Sequence, residues 1–224
     1  MKTLRGSIVC LVVLFSTVSL LRAQDLSKYR HFTLGMRVTK LLEHTDEKMS
    51  DVKTIHGRPA LIQEVTWWPP SGPGTSLRSD GVEQVLFSFY NGELYKISVT
   101  YDPPSTAGLT EEDMVKSISA KYGPATIVAP EIDSPANPAF DSRQYSVASW
   151  EDAQYSVNLV RSYFSDVLGL VVFSKLVNAQ AELAIGEATK LDEQEGPKRE
   201  ADRQKKQKDD LEAARQKNQK SFRP

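Results

Sequence analysis

The chain has 224 residues, 28 Lys and Arg against 29 Asp and Glu, and a single cysteine, Cys10. A hydrophobic share of 40% is enough to build a packed core, which excludes a wholly disordered chain. A net charge of −1 gives no electrostatic case for gripping nucleic acid, and one cysteine excludes a disulfide framework.

Residues 1–23 read as a cleavable secretory signal. Lys2 and Arg5 form a positive start, Ile8 to Leu21 an apolar run, and Ala23 a last residue before cleavage. The run is broken by Ser16, Thr17 and Ser19 and falls short of the ~20 residues that a spanning helix needs. Leu21 is bulky for the third position before a cut, which leaves the cut site open by a few residues. Cys10 lies inside this segment behind Ile8 and Val9, so lipidation is not expected. The expected mature chain then has no cysteine, no thiolate metal site and no cysteine nucleophile. Its charge is split. Residues 24–197 hold 15 bases and 24 acids, whereas residues 198–224 hold 10 bases and 5 acids. An acidic body with a basic tail is expected, and the body itself is a poor nucleic-acid binder.

The body begins with helical spacing at Val38, Leu41 and Leu42, continued by Met49, Val52 and Ile55 and ended by Gly57 and Pro59. Leu61 to Trp67 reads as a strand, and Pro69 to Gly74 as a loop. Val82 to Tyr101 is a hairpin around Asn91-Gly92. A three-residue turn, Tyr90-Asn91-Gly92, would pair Phe87 with Tyr95 and Val85 with Ile97 and gather the apolar residues on one face. Asp102-Pro103-Pro104 breaks the strand. Thr110 caps the next helix with Asp113 at its third position, and Leu109 is placed to staple onto Met114. That helix ends at Tyr122-Gly123-Pro124. A Pro-rich loop from Ala129 to Asn137 follows, then strands at Tyr145–Trp150, Tyr155–Val160 and Val167–Ser174. The expected body, residues 24–174, is α+β: an antiparallel sheet with helices on one face. Its halves, 32–101 and 109–174, read as one helix-plus-strands unit used twice, each helix leading through a Gly and Pro into strands.

Phe32-x-Leu34-Gly35-Met36, then a helix, a Gly-x-Pro and paired strands around Asn-Gly resembles the small periplasmic modules of the BamE type. It also resembles the related inhibitor-protein fold that binds β-lactamase. The resemblance covers roughly residues 32–101 and, more weakly, 109–174. Taken whole, the chain resembles an uncharacterised family of exported bacterial proteins. The resemblance implies a helical pair against a small antiparallel sheet, and binding rather than catalysis. The lipidated mature N-terminus typical of BamE is missing here.

Residues 175–197 read as a docking helix with a weak stripe of Leu176, Val177, Ala181, Ala184, Ala188 and Leu191, interrupted at Gly196-Pro197. Residues 198–224 are a charged tail of good helix formers with Leu211 as the one large apolar residue before Phe222. It has no heptad seam, so it reads as a solvated single helix or as a disordered segment, and not as a self-associating coiled coil.

Signals for chemistry are sparse. His31, His44 and His56 are not paired at ligand spacing on a helical face, so no metal or other cofactor is expected. Gly-x-Ser-x-Gly, a P-loop and Gly-x-Gly-x-x-Gly are all missing. Glu111-Glu112-Asp113 sits where acids complement a helix dipole, and Glu151-Asp152 sits at a turn. The candidate interface residues are therefore Trp67, Trp68, Arg78 and Phe222. Strand alternation would send one of the two tryptophans inward and the other out as an anchor beside the loop, the equal alternative being that both rings pack under the loop. The leading expectation is an exported, periplasmic or extracellular, non-enzymatic binding or assembly module of the bacterial cell envelope, with a basic C-terminal arm. Its partner is an unknown protein or an anionic envelope surface, with no nucleic acid and no transmembrane span after signal cleavage. A hydrolase-like enzyme using His56, Tyr122 and carboxylates is an alternative, and so is an envelope protein that binds anionic lipid.

Overall fold

The computed structural model describes residues 25–70, 81–127, 143–221 and 223. The signal-like segment, Arg78, the loop from Ala129 to Asn137 and Phe222 lie outside them. In chain order the elements are β1 (Lys28–Tyr29), β2 (Phe32–Thr33), α1 (Val38–Thr45), a 3-10 turn (Met49–Asp51), β3 (Lys53–His56), β4 (Ile62–Trp67), β5 (Val82–Tyr90) and β6 (Glu93–Tyr101). Then come α2 (Pro103–Thr106), α3 (Glu111–Tyr122), β7 (Thr126–Ile127), β8 (Gln144–Glu151), β9 (Tyr155–Ser162), β10 (Leu168–Ser174) and α4 (Lys175–Ser221).

The fold is α+β. Eight strands form one antiparallel sheet in the order β3-β4-β5-β6-β10-β9-β8-β7, and β1 and β2 form a separate small ladder. Each half of the sheet is a four-strand meander preceded by a helix, α1 in one half and α3 in the other. The two meanders join through their last strands, β6 and β10, with Val99 opposite Leu170 and Ile97 opposite Val172. The backbones come very close there: a Cβ on Gly169 would stand 2.7 Å from the Val99 carbonyl oxygen.

One face of the sheet carries the main core. Val65, Phe87, Phe89, Ile97, Leu159 and Leu170 are sealed under α1, α3 and the β1–β2 ladder. Phe32 plugs this core, with its ring 4.6 Å from Phe87 and edge-on to Trp67 at 5.6 Å. The α3 cap forms as expected: Thr110 Oγ1 accepts from Asp113 N at 3.2 Å, and Thr110 N donates to the Asp113 carboxylate at 3.0 Å. Leu109, just before the cap, keeps about half of its surface exposed. At its other end, α3 is pinned by Trp150, whose Nε1 donates to the Gly123 carbonyl at 2.9 Å. The proximal part of α4 covers the opposite face over Ile62 and Tyr95. Helices therefore lie on both faces, with α1 and α3 together on one.

Three expectations are corrected. Val38 to Ile55 is not one helical stretch. Asp46 turns left-handed at φ 56° and ends α1. Beyond it Val52, Thr54 and Ile55 branch at Cβ and favour extended backbone, so β3 pairs along β4 instead. The Asn91-Gly92 hairpin uses a two-residue turn, with φ of 50° and 80°, and pairs Tyr90 with Glu93 and Phe89 with Leu94. An extra residue then enters β6 at Tyr95, so Phe87 faces Ile97 and Val85 faces Val99. The cause is distant in sequence. Gly35 N donates to Leu94 O at 2.7 Å, and Leu94 N donates to Met36 O at 2.9 Å. This strap holds Leu94 in the main core and leaves Tyr95 on the other face. Finally, Gly196-Pro197 does not break α4, which runs unbroken for 47 residues with Pro197 inside it.

Candidate interaction surfaces

The strand register of β4 decides the tryptophan pair. Val65 and Trp67 point into the main core, so Trp68, one residue on, emerges at the sheet's end with 60% of its surface exposed. It borders a cleft of about 260 Å³ whose wall includes Pro69, Glu83, Asp102 and Ser105. The Asp102 carboxylate is already engaged there, accepting from Ser105 N at 3.2 Å and Ser105 Oγ at 2.6 Å as the cap of α2. Glu83 is exposed. The cleft presents one large aromatic ring and an acidic rim. Arg78 and Phe222, the other expected interface residues, are outside the described residues.

A second surface is at the β9–β10 tip, where Phe164 is 81% exposed and Tyr163 packs on Tyr145 at 5.0 Å. Arg161 braces the tip from beneath, donating to Glu111 Oε1 and Asp166 Oδ1, each at 2.8 Å. Burial and the Glu111 charge push the Tyr145 hydroxyl above its ordinary range, so it stays neutral. Glu111 is thus partly a tie to the second meander as well as a helix-dipole acid.

The residues that an enzyme reading requires are apart. His56 lies at the β3 edge with Nδ1 3.7 Å from Asp192 of α4. Tyr122 belongs to the main core on the other face, its hydroxyl donating to the Lys28 carbonyl at 2.7 Å. Its pKa is raised by burial, so it too stays protonated. The fold does bring together two histidines that sequence spacing did not link. His31 in the β1–β2 turn and His44 in the last turn of α1 have ring centroids 5.4 Å apart. Partial desolvation, with smaller contributions from His44 and Arg30, lowers the pKa of the exposed His31 below its ordinary 6.5. Among the described residues, no group of three or more His, Cys, Asp or Glu is arranged to hold a metal ion.

The third surface is α4. Asn178, Ala181, Ala184 and Ala188 face the sheet, and their small size lets the helix lie close. Lys96 reaches Glu182 at 3.6 Å, and Arg58 pairs with Glu195. From residue 197 to 221 every position is exposed. The helix is stitched across Gly196-Pro197 by Arg199, 2.6 Å from Asp192 and 3.9 Å from Glu195. Among the described residues no helix is long and apolar enough to cross a membrane. Compared with protein-family models, with curated proteins and with solved structures, the chain matches none at a significant level.

Proposed function

We propose that this protein is an exported, non-enzymatic binding or assembly module of the bacterial cell envelope. In this reading the α+β body is a scaffold, and the distal half of α4 is a basic arm that engages the partner. The observation that carries the reading is the arm itself. A helix without an apolar face gains nothing from its own fold beyond the docked stretch, yet it continues for about 39 Å past Glu195. Its surplus of bases stands against an acidic body, a distribution suited to steering an anionic partner to one end of the molecule. Trp68 beside its acidic-rimmed cleft offers a second contact of the kind that anchors interfaces.

The test is native cross-linking and pull-down with the mature chain, at low and high salt. The charge-reversed arm (Lys205→Glu, Lys206→Glu, Lys208→Glu) and Trp68→Ala are run alongside. Loss of the captured species with the reversed arm and at high salt supports the reading. Capture that neither variant nor salt alters would move the contact elsewhere on the body, and no capture under any condition would remove the reading.

A further inference from the structure

The two halves of α4 carry opposite charge. Residues 175–197 hold five acids and two bases, whereas residues 198–221 hold nine bases and five acids. Because the helix is unbroken through Gly196-Pro197, the basic half is held away from its own acidic body and cannot fold back onto it. The complementary surface nearest in character is the acidic proximal half of α4, and only a second copy can bring it alongside. The outward side of that half also exposes apolar area: Leu176 is 69% and Leu183 72% exposed, seven residues apart on one stripe. Leu211, 71% exposed, is the large apolar residue of the distal half, four seven-residue steps past Leu183, where a straight helix has drifted by about 80° and a gentle left-handed supercoil would bring it back into line.

From this juxtaposition we infer that α4 pairs antiparallel with α4 of a second copy, each basic distal half lying on the acidic proximal half of the other. The inference deepens the binding-module reading, and rests on it, by naming the arm's partner. Parallel packing would set like charge on like, whereas antiparallel packing sets opposite charges together. A register that places Leu211 of one copy against Leu183 of the other has its two-fold axis at Pro197. Gly196, with open space around it, allows close approach there. In that register Glu187 meets the segment holding Lys206 and Lys208. Such a contact is isologous and closes as a dimer. It also explains why a segment with a single large apolar residue stays helical, since isolated helices of this kind are marginal in water. The pairing lacks a continuous apolar seam, so it is electrostatic in origin and sensitive to salt.

The experiment is sedimentation velocity of the mature chain over a concentration series at low and high salt. Three variants are compared with it: the reversed arm (Lys205→Glu, Lys206→Glu, Lys208→Glu), a reversed proximal face (Glu187→Lys, Glu193→Lys), and both together. The expected result is a dimer at low salt that dissociates at high salt. Each reversal alone weakens it by roughly tenfold or more, and the combined variant restores it. A chain that is monomeric at every concentration, or a dimer indifferent to both reversals, overturns the inference. Phosphatidylglycerol vesicles separate its failure from that of the parent reading. A monomer that binds them through the arm overturns self-pairing and leaves the binding module standing. A monomer that binds neither vesicles nor any cross-linked partner overturns both.

Discussion

Single positions carry much of the specification, and Gly169 is the clearest. It stands where the two meanders meet, and any side chain would press on the Val99 carbonyl and on Val160. Gly169→Ala should therefore destabilise the fold by about 1–3 kcal/mol, the usual cost of overpacking a rigid site, as measured by chemical denaturation. Gly186→Ala, with nothing near its Cβ, should not destabilise, since alanine is the better helix former. The His31–His44 pair gives a second test. The folded His31 imidazole, though exposed, resists protonation chiefly because it is partly desolvated against its neighbours, so the unfolded chain takes up its proton first. Stability from this group is undiminished above 6.5 and falls as pH drops through the folded midpoint. An NMR titration should place the His31 midpoint below 6.5, and His44→Gln should raise it. A midpoint at or above 6.5 would contradict the packing of the β1–β2 turn on α1.

At the level of elements, the local signals were the readable ones. The capping box at Thr110 and Asp113 depends on residues three apart, and it forms where the sequence places it. Thr110→Ala should cost about 1 kcal/mol, read as a lower unfolding midpoint with an unchanged denaturant slope. The alternation that buries Trp67 and exposes Trp68 is likewise local, as is the hairpin around Asn91-Gly92. What escaped was decided at a distance. The bulge at Tyr95 follows from the strap at Gly35 and Met36, some sixty residues upstream, which no turn rule contains. Likewise Met49, Val52 and Ile55 keep a spacing of three that a 3-10 turn running into a strand satisfies as well as a helix does. The choice falls to strand because β4 offers an edge to pair with. The approach of His31 to His44 depends on how the first ladder folds over α1, and Gly-Pro within α4 is a break signal that the helix nevertheless runs through. Of the candidate interface residues, only the tryptophans fall within the described chain, and the exposed β9–β10 tip had no sequence signal beyond two adjacent aromatics.

The molecule as a whole is two helix-led meanders fused into one sheet, with a helix that docks on the second face and then leaves it. The docked acidic half and the basic arm are two ends of one continuous helix, and both the function and the pairing proposed above need that helix to be rigid. The expected mature chain has no cysteine, so paired spin labels can be placed cleanly at the exposed positions Gln194 and Gln216, on either side of Pro197. Labelled protein diluted with unlabelled protein isolates the distance within one chain. A continuous helix predicts a narrow pulsed-EPR distribution centred at about 33 Å. A broad distribution centred near 26 Å, the average span of a flexible chain of that length, would mean that α4 ends at Gly196-Pro197 and would contradict the account.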